Sequence, residues 1–350
     1  MGTGLGDKPP ILVTGGSGFI GTHFCRRFEE EGRPYVILDL HKPAADLSPE
    51  RIVLGDIRCR EAVDVAMTGC DEVLHLAAAH HDSGIAEETY FDVNERGTAT
   101  LAASMEAHGV RKICFYSSAA VYGHASAPST ELSPLVPIGA YGSSKLAGER
   151  VLEACARRAG FSVLIVRPSI TFGELNFANM FSLIRQIAGR RYWHVGRSSN
   201  RKSLSYVSNL VDFTLWAADR HQGEVDVFNW VEAPDLTSRE IVDVLSEALG
   251  VRVPGVSIPL SVALLGAIPF EVLTAITGYR TPINRMRIRK LVVDQTLFDA
   301  SKARSCGFTP RFTLDGGLRS MVQWYRTLPQ GVEPIRRIPP KNVVEHFTVL

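Results

Sequence analysis

The sequence has no excess of either charge. Its 350 residues include 38 Lys and Arg residues and 37 Asp and Glu residues, which gives a net charge of +1. A nucleic-acid-binding chain usually carries a basic excess, so we expect no nucleic-acid partner. Paired cysteines are also absent: the six cysteines are scattered without a C-x-x-C spacing, which argues against a disulfide framework and a zinc site. The first residues lack the basic and apolar regions of a signal peptide. We therefore expect reduced thiols, a cytoplasmic location and no metal.

Long uninterrupted apolar runs are lacking as well. The most apolar window, residues 256–277, contains Pro259, Pro269 and Glu271, whereas a membrane-spanning helix needs about 20 predominantly apolar residues. We therefore expect no membrane span. A buried helix pair near a substrate-binding lobe is the favoured interpretation of this window, and a segment at a membrane interface is the alternative.

Short apolar segments alternate with helical patterns through the first half of the chain. The apolar segments are ILVT, PYVILDL, RIVLGDI, EVLHLAAA, RKICFYSS and SVLIVRPS. Continuous apolar strands between helices are typical of a parallel sheet covered on both faces. We predict an α/β fold with a doubly wound parallel sheet, a Rossmann domain over residues 1–170. A smaller C-terminal substrate lobe over 171–327 is expected to interleave with the last strands, before an extended tail over 328–350.

A glycine-rich turn follows the first apolar segment. Gly15, Gly18 and Gly21 in VTGGSGFIG match G-x-x-G-x-x-G, and Phe19 and Ile20 open a helical pattern within it. In this context glycines let backbone N–H groups approach a pyrophosphate, and the helix N-terminus adds a favourable partial charge. We predict that these five residues bind a dinucleotide.

An acidic residue, Asp39, closes the second apolar segment. A carboxylate at this position accepts hydrogen bonds from the adenosine ribose and repels a 2′-phosphate, which favours NAD over NADP. The alternative is a solvated acid at a strand end, and the nearby Lys42 leaves some tolerance of NADP open. Asp56 and Ile57 end the third segment, where we expect Asp56 to meet the adenine edge.

Tyr141 and Lys145 stand four residues apart at a predicted helix start, YGSSKLAGER. Residues at this spacing are neighbours on one helix face, so taken alone the pair is consistent with an ordinary exposed pair. A phenol has an ordinary pKa near 10 and needs a nearby positive charge to exchange protons near neutrality. The pair is therefore also a candidate for acid/base chemistry.

The motifs TGGSGFIG, LGDI, HLAAA, YSSAAVYG and YGSSK follow one another along the chain. In this order they resemble the extended short-chain dehydrogenase/reductases, and most of all the NAD-dependent nucleotide-sugar epimerase/dehydratase branch that includes UDP-galactose 4-epimerase. The resemblance covers about residues 1–325. It implies NAD as cofactor, a nucleotide sugar as substrate, and a homodimer built on the helices at 88–108 and 143–159. It also implies that Ser118, Tyr141 and Lys145 are the catalytic residues.

The resemblance implies further contacts. Those expected with the cofactor are Leu76, Ala77, Ala78, Asn94, Ser117, Tyr141, Lys145 and Pro168. Those expected with the substrate are His80, Ser118, Asn179, Arg201, Lys202 and Arg289. For Arg201 and Lys202 the alternative is a solvated loop. His81 and Asp82 follow His80, but no third ligand group at a suitable spacing supports a metal site.

One departure from the family narrows the chemistry. Ala119 and Ala120 stand where members that dehydrate the sugar carry an Asp-Glu pair, so a 4,6-dehydratase is not expected. The leading hypothesis is a 4-epimerase that acts by transient hydride transfer, with Tyr141 as acid/base. Two alternatives stay open: an NAD-dependent dehydrogenase/reductase of a nucleotide sugar or of a 3β-hydroxysteroid-like alcohol, and a non-catalytic NAD-binding sensor.

Overall fold

A computed structural model of the chain describes residues 8–80, 84–124, 127–277, 285, 296–329, 331–332 and 338–350. The strands in chain order are β1 Ile11–Thr14, β2 Tyr35–Asp39, β3 Arg51–Leu54, β4 Glu72–His75, β5 Lys112–Tyr116, β6 Ser162–Pro168, β7 Ile170–Phe172, β8 His194–Val195, β9 Arg201–Lys202, β10 Leu204–Tyr206, β11 Val225–Trp230, β12 Leu236–Thr237, β13 Ser257–Ile258 and β14 Thr348–Val349. The helices are α1 Phe19–Glu30, α2 Arg60–Met67, α3 Glu87–Phe91, α4 Gly97–His108, α5 Gly139–Ala159, α6 Asn179–Ala188, α7 Val207–Arg220, α8 Ser238–Leu249, α9 Leu260–Thr277, α10 Ser301–Ser305 and α11 Leu314–Thr327.

The described residues form an eight-stranded sheet in the order β11-β6-β5-β4-β1-β2-β3-β14. The strands from β11 to β3 are parallel to one another. Successive residues of each strand enter different cores: Leu12 and Val36 pack on one face of the sheet, and Val13 and Ile37 on the other. Because both faces are covered, the strands are continuously apolar in sequence. The predicted doubly wound α/β fold is confirmed.

The chain leaves the sheet after β6 and returns to one edge of it through β11, which pairs with β6 over the register Val225↔Val163 to Trp230↔Pro168. Between and after these strands, α6, α8 and α11 enclose a separate core around Phe181, Leu245 and Leu318. The second part of the chain therefore contributes a lobe of its own as well as strands of the central sheet.

The C-terminal residues cover the β3 edge of the sheet. β14 runs antiparallel to β3, and Leu350 exchanges backbone hydrogen bonds with Ile52 at 2.8 and 3.1 Å. Arg58 joins the preceding stretch to the domain, because its guanidinium donates to the carbonyls of Pro340 and Asn342 at 2.9 and 3.0 Å. The tail thus pairs a strand that would otherwise lie at the open edge of the sheet.

The prediction of a buried helix pair over 256–277 is wrong. One helix, α9, runs through Pro269, and it turns Ala267 inward while Val262 and Leu265 are 54% and 66% exposed. The helix is apolar on both sides, and Ala267 is its one fully buried residue among those whose burial is described. Within those residues, no helix is long and apolar enough to cross a membrane.

Candidate active site

The glycine turn lies directly against the loop that follows β4. Gly15 has a φ of +74°, and a Cβ there would lie 2.7 Å from the backbone nitrogen of Ala77. A Cβ on Gly21 would lie 2.4 Å from the carbonyl oxygen of Gly15, so neither position tolerates a side chain. Gly18 caps α1 without a side-chain hydrogen bond, which leaves the first-turn N–H groups, those of Phe19 and Ile20 included, for an anion.

Asp39 is not a solvated acid. Its carboxylate accepts hydrogen bonds from the backbone N–H groups of Ser17 at 3.0 Å and His41 at 2.9 Å, and its side chain is 12% exposed. The carboxylate is thereby fixed beside the glycine turn, the position from which an acid at the end of the second strand reaches a ribose.

Asp56 already has protein partners. Its carboxylate binds the Arg58 guanidinium at 2.6 Å and accepts from the backbone N–H of Val344 at 3.2 Å. Ile57 is buried at 6% exposure, and it lies against Gly97, where a Cβ would come within 2.9 Å of it. Asp56 connects the tail to the end of the third strand, and its contact with adenine stays a prediction.

Asn94 fixes the loop after β4, which contains Leu76, Ala77 and Ala78. Its side-chain oxygen accepts from the Ala79 N–H at 2.8 Å, and its amide nitrogen donates to the Ala79 carbonyl at 3.0 Å. The same nitrogen donates to the Ser144 hydroxyl on α5 at 2.9 Å. Because these bonds occupy the buried amide, Asn94 joins the loop to α5 as a positioning residue.

The start of α5 packs onto the residues that follow β5. A Cβ on Gly142 would lie 2.6 Å from the carbonyl oxygen of Ala120, a distance that only glycine permits. Ala120 is two residues from Ser118, whose hydroxyl oxygen accepts from the Ala120 N–H at 3.2 Å. Tyr141 therefore enters α5 beside the strand end that holds Ser118.

Lys145 lies one helical turn further along α5 and is buried at 2% exposure. Its Nζ lies 4.6 Å from the ring centroid of Phe115 on β5. Burial lowers the pKa of Lys145 to about 7, although the carboxylate of Glu149 acts in the opposite direction. A lysine with this pKa loses its proton near neutrality, so the positive charge one helical turn after Tyr141 depends on pH.

The Lys145→Met variant tests this burial. The pKa of Lys145 in the folded chain lies below its ordinary value of 10.5. Burying the charged ammonium therefore destabilises the folded state in full below about pH 7, and this destabilisation disappears as the pH rises toward 10.5. We expect cofactor-free Lys145→Met to be more stable than the parent chain, on the order of 3 kcal/mol at pH 7, with the difference shrinking toward pH 10. Urea unfolding at both pH values measures this, and a gap independent of pH would contradict it.

A buried hydroxyl adjoins this site without a partner in the described part of the chain. Ser117 is 4% exposed, and its Oγ has no hydrogen-bond partner there. An unsatisfied buried polar atom is costly, and a polar group of a bound ligand would satisfy it. Together with the glycine turn and Asp39, Ser117 fits a dinucleotide. Pro168 ends β6 beside Ser117, since the backbone N–H of Ser117 donates to the carbonyl of Val166.

The structure also shows a buried network that the sequence did not predict. Arg167 on β6 donates to both carboxylate oxygens of Glu149 on α5, at 2.9 and 2.6 Å. It also donates to the Tyr122 hydroxyl at 2.8 Å, which donates to Asn229 on β11 at 2.7 Å. Glu149 is four residues after Lys145, so this network holds the helix that carries the candidate catalytic pair.

The predicted substrate residues are less closely assembled. Asn179 is the first residue of α6 and is exposed, as is His80 after β4. Arg201 on β9 donates to the Asp235 carbonyl at 2.6 Å, and Lys202 pairs with Leu236 on β12. These residues lie on several loops and strands of the second lobe and the sheet edge, and their contact with substrate stays a prediction. Arg289 lies outside the described residues.

No group of three or more His, Cys, Asp or Glu side chains that could hold a metal occurs among the described residues. His81 and Asp82 lie outside them.

Comparisons with known proteins agree with this geometry. The model of the NAD dependent epimerase/dehydratase family matches residues 11–229. The N-acetyl-alpha-D-glucosaminyl-diphospho-ditrans,octacis-undecaprenol 4-epimerase of Escherichia coli O157:H7 is 36% identical over 316 residues, 90% of this chain and 94% of that protein. A UDP-glucose 4-epimerase of Halalkalibacterium halodurans is 30% identical over 70% of this chain and 81% of that protein.

A solved structure, MoeE5 in complex with UDP-glucuronic acid and NAD, superposes with a TM-score of 0.73 at 25% identity, covering 91% of this chain and 99% of that chain. The resemblance predicted from the sequence motifs is confirmed, and so is NAD as the cofactor. The chain is therefore an NAD-dependent enzyme that belongs to the epimerase/dehydratase family.

Proposed function

We propose that this enzyme inverts the configuration at C4 of a sugar that carries a diphosphate on its anomeric carbon. The observation that carries the proposal is the placement of Tyr141 and Lys145 on α5 against the strand end that holds Ser118. Ala119 and Ala120 follow that serine, so the strand end offers no second acid or base for eliminating a hydroxyl group. Reversible redox chemistry at one carbon is the reaction these residues serve.

Each side chain has a distinct task in this reaction. NAD, when bound, supplies a hydride acceptor that can return the hydride. Tyr141 takes the proton of the C4 hydroxyl group and later gives it back. Ser118 has its hydroxyl hydrogen available, because its oxygen already accepts from Ala120, so it can donate to the reacting oxygen. Lys145, when charged, lowers the cost of forming the phenolate.

The names of the two similar proteins describe substrates that both contain a sugar linked to a diphosphate. One relative acts on a sugar diphosphate carried by undecaprenol and another on UDP-glucose. The nucleotide sugar expected from the sequence and a polyprenyl-diphosphate sugar present the same sugar and diphosphate to the enzyme. Arg201 and Lys202 on β9 are cationic and suited to that diphosphate.

The test is a direct assay for C4 epimers. The purified enzyme is incubated with UDP-N-acetylglucosamine, UDP-glucose and undecaprenyl-diphospho-N-acetylglucosamine in detergent, and the products are identified by NMR. We expect conversion of at least one substrate to its C4 epimer without added NAD, because an epimerase keeps its cofactor between the two half-reactions. Net formation of NADH with a keto product would instead favour the dehydrogenase alternative.

We also propose a homodimer built on α4 and α5. An open apolar groove of about 670 Å³ lies between these helices, lined by Ala99, Ala102, Ala103, Val151, Ala154, Cys155, Arg157 and Arg158. Small side chains let helices of two copies approach closely. Light scattering on the Ala103→Glu variant is expected to show a monomer where the parent chain is a dimer, and an unchanged mass would contradict this interface.

A cytoplasmic location completes the proposal. All six cysteines are free and five of them are buried, as expected of a protein that keeps its thiols in a reducing compartment.

A further inference from the structure

The surface of α9 is unusually apolar for an exposed helix. Val262 is 54% exposed, Leu265 66%, Phe270 39% and Leu273 47%. At 100° per residue, Val262, Leu265 and Leu273 lie on the side of the helix opposite the buried Ala267, and Phe270 lies at the border of that side. These four residues are here called the α9 face. Exposed apolar patches of this kind mark surfaces that bind a partner or a membrane.

The α9 face continues onto the strand pair before it. β13 pairs with β8 in the register Ser257↔His194, so the preceding residues, Val256 and Trp193, are neighbours as well. Val256 is 73% exposed and Trp193 51% exposed. A tryptophan at the border of an apolar patch is characteristic of a membrane interface, where one end of the ring is apolar and the other is wet.

Described basic side chains lie next to the α9 face. Residues 175–211 contain no Asp or Glu but include Arg190 and Arg191, which are both exposed and lie two to three residues before Trp193. Arg285, which follows α9 in the chain, is exposed as well. The single charged residue within α9, Glu271, is paired with Arg285 at 2.8 Å. An apolar face with basic borders is complementary to an anionic lipid surface.

We propose that the α9 face docks onto the surface of an anionic phospholipid bilayer. α9 lies on the bilayer and does not cross it, because its apolar sequence is interrupted by Glu271 and its Ala267 side is buried. A second copy of the chain is the less suitable occupant, since two such faces would bring like-charged segments together. The purpose of docking rests on the proposed function: it would bring the substrate lobe to a sugar diphosphate whose polyprenyl chain stays in the membrane.

Vesicle co-sedimentation tests the docking without requiring turnover. The full chain is mixed with vesicles of phosphatidylglycerol and phosphatidylcholine, or of phosphatidylcholine alone. We expect binding to the anionic vesicles that weakens at high salt. The double variant Val262→Ser, Leu265→Ser should bind roughly tenfold more weakly. The matched control is Leu132→Ser, which removes an apolar side chain that is 96% exposed elsewhere on the surface, and it should bind like the parent chain.

A second variant and a second readout keep the test decisive. Arg190→Gln, Arg191→Gln should lose binding to anionic vesicles and leave turnover of a water-soluble UDP-sugar unchanged. Absence of binding by the parent chain, or equal binding by all variants, would overturn the proposal. So would sedimentation velocity showing that Val262→Ser, Leu265→Ser dissociates an oligomer, because the α9 face would then join protein copies. If no sugar is epimerised, the proposed function fails while the vesicle result still decides the docking.

Discussion

Tyr141→Phe is expected to lower kcat for epimerisation by roughly 10²- to 10⁴-fold, the usual contribution of a positioned acid/base. The change removes one oxygen atom and leaves the ring that packs edge-on against Tyr90, with centroids 6.4 Å apart. NAD content and melting temperature should therefore stay close to those of the parent enzyme. The assay is initial-rate epimerisation, with bound NAD measured after denaturation.

The matched control is Tyr325→Phe, which removes a hydroxyl group from α11, where the ring packs against Phe181 at 5.7 Å. This variant should keep its rate within about twofold. A Tyr141→Phe enzyme with unchanged kcat would contradict the assigned proton transfer and would reduce the site to a nucleotide-binding fold.

Removing the counter-charge of Arg167 should have the largest effect on stability. Arg167 and Glu149 have side chains that are 3% and 0% exposed. Glu149→Leu leaves a guanidinium buried without its carboxylate, which typically costs about 3–5 kcal/mol. We expect a loss of that size in urea unfolding, with lower activity because α5 is no longer held against β6.

The double variant Glu149→Leu, Arg167→Met separates charge burial from packing. Replacing a buried ion pair by apolar side chains of similar volume is often neutral, so the double variant should recover most of the lost stability. Arg96→Met is the exposed control, since Arg96 pairs with Asp92 while 80% exposed and should change stability by less than about 1 kcal/mol. Additive losses in the double variant would contradict a coupled pair.

The sequence was informative wherever a local pattern has one physical cause. Continuous apolar strands indicated a sheet buried on both faces, and the structure confirms it. The glycine turn could be recognised because Gly15 and Gly21 lie where a Cβ would meet backbone atoms at 2.7 and 2.4 Å. The spacing of Tyr141 and Lys145 placed them on one helix face, although their packing against β5 depends on the fold.

Long-range pairings could not be derived in the same way. Arg167 lies near the end of an apolar strand, and a charged residue there is a signal of a buried ion pair. Nothing local identifies Glu149 as its partner. The tail offered no pattern that pointed to β3 as its partner. Val349 pairs with Val53, which lies 296 positions earlier in the chain. The apolar composition of α9 suggested that the helix is buried. Leu265 is exposed because the rest of the lobe does not cover that side of the helix, and a local sequence pattern does not contain this information.

The most direct test of the central claim follows one hydrogen atom. UDP-N-acetylglucosamine, or whichever substrate the enzyme accepts, is prepared with deuterium at C4 and epimerised in ordinary water. If a hydride leaves C4 and returns to the same carbon, NMR will show the deuterium retained at C4 of the product. Replacement of the deuterium by hydrogen from solvent would contradict reversible hydride transfer and require a different reaction at this site.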